Sequence, residues 1–282
     1  MADRGFEGCV IRYDGVPLER GFYGRASIRS GGSAMHDRVE VLRGAAGLPQ
    51  GAGSPGGAVN RVRKRPLAAR GVPAYTGAML RIDNLTKRYG DHLVFQGLTH
   101  TFGPGCVALC EEESTGKSSL LGIIAGALAP DGGEVWIDGH SLAQAPPQAK
   151  ARLAHVPDNC LDLPALTGRE LLTRIAAQKQ VAVDGAILDL AARLGLEPHL
   201  DKRFEQMSTG TRRKVYLTAA ALGDPAVVVA DGPSNGLDTP ARRELAELFK
   251  AWGRDRVVLF ASHDPELVRA CGATVVEVAA LR

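Results

Sequence analysis

Apolar and polar residues form regular patterns from Met79 onward, and these patterns predict alternating strands and helices. "MLRIDNLTKRYG" (79–90) alternates as a strand does and ends in a turn. "CVALC" (106–110) is a short apolar run, and "KSSLLGIIAGALAP" (117–130) has the apolar spacing of a helix. We therefore predict a strand, a loop and a helix over residues 106–130.

The remaining patterns extend this alternation. Leucines at helical spacing predict helices within residues 165–200, and "TPARRELAELFKAW" (239–252) predicts another, with Thr239 as N-cap and Pro240 at its first position. Further strands are predicted at "GGEVWIDGHSL" (132–142), "AVVVAD" (226–231), "VVLFAS" (257–262) and "ATVVEVAAL" (273–281). Apolar strands that alternate with helices predict a parallel sheet covered on both faces, which the helical stretch at 165–200 interrupts as a separate lobe.

Residues 1–78 differ in composition from the rest of the chain. They hold 15 of the 34 glycines and carry 12 Lys+Arg against 6 Asp+Glu, a net charge of +6, whereas residues 79–282 carry 22 against 25, a net charge of −3. We predict a disordered Gly/Arg-rich extension at 1–78 and a folded domain at 79–282. Two alternatives are that "RVRKRP" (61–66) contacts nucleic acid or acidic lipid, and that residues 1–78 follow from a misplaced start codon.

Composition also limits the class of protein. The longest apolar stretches, such as "LLGIIAGALA" (120–129), reach about half the length that a bilayer span needs. The N-terminus lacks the order of a signal peptide, so we expect a cytoplasmic protein that reaches a membrane only through a partner. The five cysteines form no CxxC pair, which argues against a disulfide framework and a zinc site.

"STGKSS" (114–119) has the ending of a phosphate-binding loop and lies between a predicted strand and a predicted helix. Backbone N–H groups at the start of such a helix face phosphates, and the helix dipole favours anions there. Lys117 would reach the terminal phosphates, and the Ser118 hydroxyl would bind Mg²⁺.

Three further motifs follow in order: "MSTGTRRK" (207–214), "VVVADGPSNGLD" (227–238) and "VLFASHD" (258–264). Together with the phosphate loop they resemble the ATP-binding subunit of ABC transporters, over almost all of residues 79–282. The resemblance implies an α/β P-loop NTPase fold: a mostly parallel sheet flanked by helices, with a helical lobe and a small antiparallel β part. It implies ATP and Mg²⁺ as ligands.

The resemblance also assigns roles to residues of this sequence. Asp231 and His263 are the expected catalytic residues, His263 as the switch histidine that contacts the terminal phosphate. Ser118, Asp158 and Asp231 are the expected metal-side residues, Asp158 standing where the family has its loop glutamine. The expected nucleotide-binding residues are Tyr89, which matches an adenine-stacking aromatic, Glu111, Glu112, Glu113, Ser114, Thr115, Gly116, Lys117, Ser118 and Ser119, with Ser208 and Gly210 from the signature motif.

The resemblance implies partners as well. Two such domains close head to tail over two ATP molecules, so that Ser208 and Gly210 of one cap the ATP held by the other. Closure would be transmitted to transmembrane permease subunits, which places the chain on the cytoplasmic face of a membrane. The amino-acid sequence of the signature motif favours an exporter over an importer. We expect no nucleic acid partner.

The sequence departs from the family at the phosphate loop. Glu111 and Ser114 stand at positions of family glycines, and Glu113 replaces a usual asparagine, while the position of Glu112 is tolerant. A carboxylate about 10 Å from a phosphate charge costs about 1–2 kcal/mol at an effective dielectric near 20. We therefore expect weakened nucleotide binding, although a solvated loop face would reduce the effect.

A second departure concerns catalysis. The family glutamate that polarises the attacking water is replaced by Gly232, and such a base is typically worth about 10²–10⁴ in rate. Asp158 for glutamine adds a carboxylate that could take up the metal or part of the base role, or could be a loop residue that has drifted. We expect an ATPase that is slow or dependent on a partner.

Three functions remain open at this point. The first is the ATP-binding subunit of an ABC transporter that couples ATP binding and hydrolysis to transport. The second is a hydrolysis-deficient clamp or regulatory subunit of the same type, which Gly232 and the glutamates favour. The third is a soluble translation or DNA-repair ATPase, which is disfavoured because this chain has neither a second such domain nor an inserted coiled coil.

Overall fold

The computed structural model describes residues 79–110, 115–160 and 164–281, together with the backbone of residues 10–13, 16–17, 36–42 and 58–63. The chain divides into two compact units, Met1–Ala74 and Tyr75–Arg282.

The first unit contains four described strands: β1 (Val10–Tyr13), β2 (Val16–Pro17), β3 (His36–Leu42) and β4 (Ala58–Arg63). They form one sheet in the order β2-β1-β4-β3, in which β1 and β4 are parallel and the other two pairs are antiparallel. These strands lie within the segment for which the sequence predicts a disordered extension. That prediction and the boundary at residue 78 stay predictions.

The second unit contains nine described strands and seven described helices. The strands are β5 (Leu80–Tyr89), β6 (His92–Phe102), β7 (Gly105–Leu109), β8 (Gly132–Ile137), β9 (His140–Ser141), β10 (Leu153–Val156), β11 (Val227–Asp231), β12 (Val257–Ala261) and β13 (Thr274–Val276). The helices are α1 (Lys117–Ile124), α2 (Pro146–Ala151), α3 (Gly168–Lys179), α4 (Gly185–Arg193), α5 (Thr209–Ala220), α6 (Thr239–Trp252) and α7 (Pro265–Ala270).

The larger sheet of this unit is parallel throughout, in the order β10-β11-β12-β7-β13. Every residue of β12 is buried, as are the first four residues of β11, three valines and an alanine at 227–230. Strands that are apolar on both faces need cover on both sides, and one apolar cluster forms on each face of the sheet. Because parallel strands end at the same edge, the loops after β7, β11 and β12 converge there.

The smaller sheet is antiparallel, with the order β6-β5-β8-β9. Its inward residues, among them Leu80, Ile82 and Leu85, are fully buried in the same apolar cluster as α1 and one face of the parallel sheet. This packing holds the end of β5 close to the start of α1. The small antiparallel part predicted from the sequence is confirmed.

Helices α3, α4 and α5 form a lobe with an apolar cluster of their own. Helix α3 begins with a capping box, in which the Thr167 side chain accepts from the Glu170 N–H and the Glu170 carboxylate accepts from the Thr167 N–H. Fold class, parallel sheet and helical lobe therefore agree with the sequence predictions.

The predicted N-cap of α6 is wrong by one residue. Asp238, not Thr239, has the extended backbone of a cap, and its Oδ1 accepts from the Ala241 N–H at 2.9 Å. Thr239 is already the first helical residue. Either side chain can cap a helix, and Asp238 takes the position because its other oxygen also accepts from Lys214 Nζ at 2.7 Å.

Within the part of the chain that the structure describes, no helix has both the length and the apolar character that crossing a membrane requires.

Candidate nucleotide site

A cleft of about 650 Å³ lies where the carboxyl ends of the parallel strands meet the end of β5. Clefts at this edge are the usual ligand sites of open α/β sheets. The residues that line it are Tyr89, His92, Val94, Thr115, Gly116, Lys117, Ser118, Ser119, Asp158, Asp231, Gly232, Asn235, Ala261, Ser262 and His263.

The N-terminus of α1 forms one wall of the cleft. Gly116 caps this helix with φ +91°, a left-handed conformation that favours glycine. A Cβ at Gly116 would also overlap Val94 Cγ1, so the close approach of β6 to the loop leaves room for no side chain. The sequence thus needs glycine here for two reasons, and the result is a helix start that opens on the cleft.

Lys117 is the first residue of α1 and is 8% exposed. Its Nζ lies 3.3 Å from Thr115 Oγ1, so the ammonium stays at the loop that precedes the helix. An ammonium held beside a helix N-terminus creates a local positive field, which suits an anion such as phosphate.

Ser118 and Asp231 face each other across the cleft floor. The Ser118 hydroxyl donates to the Asp231 carboxylate at the carboxyl end of β11. Burial and, more weakly, the charge of Asp158 raise the pKa of Asp231, while the hydrogen bond from Ser118 and the charges of Arg213 and Lys117 oppose that rise. A cation would offset the cost of burying this carboxylate.

These two oxygens fit a magnesium ion. Mg²⁺ prefers oxygen ligands and is commonly held by one or two carboxylates or hydroxyls together with phosphate oxygens. Among the described residues no group of three or more His, Cys, Asp or Glu side chains could hold a metal by itself. The donor set therefore suits a cation that arrives with a phosphate ligand.

Asp158 lies in the loop after β10, and its carboxylate is 63% exposed. Arg213 of α5, which is 1% exposed, donates through Nη2 to the Asp158 main-chain oxygen at 2.9 Å and to Asp158 Oδ1 at 3.2 Å. Its Nη1 donates to the main-chain oxygens of Asp231 at 2.8 Å and Gly232 at 2.6 Å. One buried guanidinium thus ties the loop of Asp158 to the end of β11.

Two aromatic side chains, those of Tyr89 and His263, also line the cleft. The Tyr89 ring is 49% exposed, and its hydroxyl lies 3.1 Å from Ser119 Oγ. His263 follows β12 and is exposed; the next residue, Asp264, caps α7 by accepting from the N–H groups of Glu266 and Leu267. This cap fixes the loop that carries His263.

The structure brings together most of the predicted site residues. Those in the cleft are Tyr89, Thr115, Gly116, Lys117, Ser118, Ser119, Asp158, Asp231 and His263. Ser208 and Gly210 do not line it: Ser208 is the N-cap of α5, and Gly210 packs on the backbone of Gly236. The predicted residues Glu111, Glu112, Glu113 and Ser114 lie outside the described residues.

Sequence reasoning missed several residues that shape the cleft, namely His92, Val94, Asn235, Ser262 and Arg213. Asn235 lies inside the quoted motif "GPSNGLD", so its place beside Asp231 could have been inferred from the turn that follows β11. Arg213 is one of three consecutive basic residues, and nothing local distinguishes it from Arg212 and Lys214. His92 and Val94 carry no sequence signal.

Comparison with known proteins agrees with this geometry. Residues 97–235 match the family model described as ABC transporter. The human phospholipid-transporting ATPase ABCA7 is 34% identical over 211 residues, which cover 72% of this chain and 10% of that protein. The chain contains an ABC transporter nucleotide-binding domain. Domains of this family bind ATP, hydrolyse it and work as dimers.

Two further relatives define how far the ABC similarity extends. The Nod factor export ATP-binding protein I of Paraburkholderia xenovorans is 32% identical over 196 residues, covering 66% of this chain and 63% of that protein. A solved dimeric ATP-binding cassette, described as a post-hydrolysis state bound to ADP and Pi, matches with TM-score 0.61 and 20% identity, covering 71% of this chain and 95% of that one. The latter shows the shared fold. The chain spans about a tenth of ABCA7 and less than two thirds of the export protein.

A second family model, described as TonB-dependent receptor plug domain, matches residues 3–58. This match and the ABC transporter match do not overlap.

Proposed function

We propose that the cleft binds ATP with Mg²⁺ and that the chain serves as the ATP-binding subunit of an ABC exporter. The observation that carries the proposal is the convergence of Lys117, Ser118, Asp231 and His263 in one cleft at the carboxyl edge of the parallel sheet. An ammonium, a helix N-terminus and an oxygen pair for a cation are together what a triphosphate requires.

Each wall of the cleft has its own part in this proposal. The start of α1 and Lys117 hold the phosphates, Ser118 and Asp231 hold Mg²⁺, and the exposed ring of Tyr89 stacks on the adenine. His263 contacts the terminal phosphate from the loop after β12. Mg²⁺, when bound, neutralises charge that develops on the phosphates.

The position of the signature motif supports a dimer. Ser208 and Gly210 do not line the cleft of their own chain, so any contact they make with nucleotide comes from a second copy or a similar domain. Ser208 Oγ accepts from Thr211 N at 3.2 Å, which fixes Ser208 as the cap of α5. The solved cassette with the same fold is dimeric, which supports this arrangement.

The relatives support the transport role. One is named for phospholipid transport and another for Nod factor export, and the second name favours an exporter. We propose that the chain acts on the cytoplasmic face of a membrane and couples to a transmembrane permease subunit. We expect the tagged full chain to co-purify with a multi-helix membrane protein from a detergent extract. The same purification from the soluble fraction, prepared without detergent, should not recover that partner.

A second function is favoured by one observation. Gly232 has no side chain where the family has its catalytic glutamate, which supports a clamp or regulatory subunit that binds ATP without turnover. The two functions differ in one measurement: the exporter subunit releases phosphate, slowly or when its partner is present, and the clamp does not.

The dimer experiment uses a matched pair of variants. Ser208→Asn and Ser208→Asp both keep a side chain that caps α5, but only the aspartate sets a charge against the partner's triphosphate. We expect light scattering to show that ATP and Mg²⁺ double the mass of the wild-type chain and of Ser208→Asn, and leave Ser208→Asp monomeric. Dimerisation of all three proteins to the same extent would show that Ser208 does not lie in the dimer interface.

A further inference from the structure

The cleft holds a carboxylate beside the position where the family glutamate is missing. We propose that Asp158 replaces that glutamate and accepts the proton of the water that attacks the terminal phosphate of ATP. The inference rests on the proposed function, because it requires ATP in this cleft. Under this proposal, Asp158 supplies the carboxylate that the family has at the position of Gly232.

The first observation is the surroundings of Gly232. A Cβ built on this residue would lie 3.2 Å from Asp158 Oδ1, which is closer than ordinary van der Waals contact. A glutamate at 232 would therefore extend into space that the Asp158 carboxylate already borders. The same Cβ would overlap Asn235 Nδ2, and Gly232 has φ +55°, so this backbone favours a residue without a side chain.

The second observation is that Asp158 is held in place. Arg213 joins the main-chain oxygens of Asp158, Asp231 and Gly232 and also contacts Asp158 Oδ1. The loop after β10 is thus fixed to the carboxyl end of β11 by a side chain that is 1% exposed. The part of this anchor that involves the carboxylate itself is the contact of Arg213 Nη2 to Asp158 Oδ1 at 3.2 Å.

The third observation is the open side of the carboxylate. The Asp158 side chain is 63% exposed and lines the cleft, although its partner Arg213 is buried, so water reaches it. The hydrogen-bonded pair of Ser118 and Asp231 supplies the oxygens that would hold the cation. Asp158 lies beside Gly232, next along the chain from Asp231, where the water-activating residue of the family would stand.

The proposed step balances without a further reactant. The oxygen of a water molecule bonds to the γ-phosphorus as the bond from that phosphorus to the β–γ bridging oxygen breaks. One proton of the water passes to an Asp158 carboxylate oxygen and then to solvent, and ADP and phosphate leave. Arg213 is a positioning residue in this step, because it contacts Asp158 and not the substrate.

The test compares full-length wild type with Asp158→Asn and Asp158→Glu, using Asp201→Asn as a control on a remote surface carboxylate that pairs with Arg169. Asparagine keeps an oxygen that accepts from Arg213 but cannot take a proton, and glutamate keeps the carboxylate. Three quantities are measured: the Kd for ATP with Mg²⁺, the rate of phosphate release, and the identity of the nucleotide retained by excess protein after a long incubation.

We expect Asp158→Asn to bind ATP with a Kd within about threefold of wild type and to release phosphate about 10²–10⁴ times more slowly. The retained nucleotide should be ADP for wild type and Asp201→Asn, and ATP for Asp158→Asn. Asp158→Glu should keep at least about a tenth of the wild-type rate, since its carboxylate can still accept a proton.

Three results overturn the inference. The first is that Asp158→Asn releases phosphate at the wild-type rate. The second is that Asp158→Asn loses ATP binding, which would make Asp158 a metal ligand or a structural residue. The third is that the wild type binds ATP but does not hydrolyse it. Absence of saturable ATP binding by the wild type instead overturns the proposed function, and the inference with it.

Discussion

Arg213 offers the sharpest prediction about stability, because a single buried side chain joins three segments of the domain. We consider Arg213→Met, which keeps an unbranched stem of similar volume and removes the guanidinium. The variant leaves the main-chain oxygens of Asp158, Asp231 and Gly232 without the donor that now serves all three.

The magnitude follows from opposing contributions. A hydrogen bond from a charged donor contributes about 1.5–3 kcal/mol, and a buried acceptor left without a partner costs about 1–3 kcal/mol. Burying the guanidinium costs several kcal/mol in return, and Nε of Arg213 has no hydrogen-bond partner among the described residues. We expect the difference to lower the free energy of unfolding by about 2–4 kcal/mol.

The assay is urea unfolding followed by tryptophan fluorescence. The chain has two tryptophans, Trp136 and Trp252, and both lie in the second unit, so the signal reports on that unit alone. The control is Arg169→Met, which removes an exposed ion pair with Asp201 and should cost less than about 1 kcal/mol. Equal losses for the two variants would refute the idea that Arg213 holds the segments together.

Three further predictions concern other residues. Gly232→Ala should lower the free energy of unfolding by about 1–2 kcal/mol because φ is +55° and the new Cβ overlaps Asn235; an unchanged unfolding midpoint would contradict this. Asp238→Ala should lower the free energy of unfolding by about 1–2 kcal/mol, because it removes the cap of α6 and the contact to Lys214. Thr239→Ala should lower it by less than about 0.5 kcal/mol. The reverse order would show that Thr239 is the cap. Burial lowers the pKa of Lys179 to about 8, so between pH 8 and 10.5 the unfolded chain holds more protons than the folded chain. The free energy of unfolding should therefore rise with pH over this range, by about 1–2 kcal/mol relative to Lys179→Met. Parallel pH profiles of the two proteins would rule this out.

The parallel sheet and most of the cleft could be predicted from the sequence, because their signals are local. Strand β11 is an unbroken apolar run that ends in Asp231, and Gly116-Lys117-Ser118 stands at a strand-to-helix junction. Parallel strands then bring these ends to one edge without further information. Asp158 followed only from the order of the family's motifs.

The rest depends on tertiary packing. How α5 packs against β10 decides which of the three residues Arg212, Arg213 and Lys214 points inward, and a polar run carries no periodic signal. The cap of α6 was misplaced because Asp238 and Thr239 are both good caps, and the contact from Lys214 that distinguishes them crosses from another helix. Gly232 has a positive φ, so its backbone conformation itself favours glycine. This conformation is likewise visible only in the fold.

The central claim is that Lys117 and its helix N-terminus hold a magnesium triphosphate, and titration of the full chain with labelled ATP and Mg²⁺ tests it most directly. The control is Lys250→Ala, an exposed lysine of α6 that does not line the cleft. The account predicts saturable binding for wild type and Lys250→Ala, and at least about tenfold weaker binding for Lys117→Ala, since a contact of a charged donor to phosphate is worth about 1.5–3 kcal/mol. Absence of saturation for the wild type at millimolar ATP, or equal affinity of all three proteins, would contradict it.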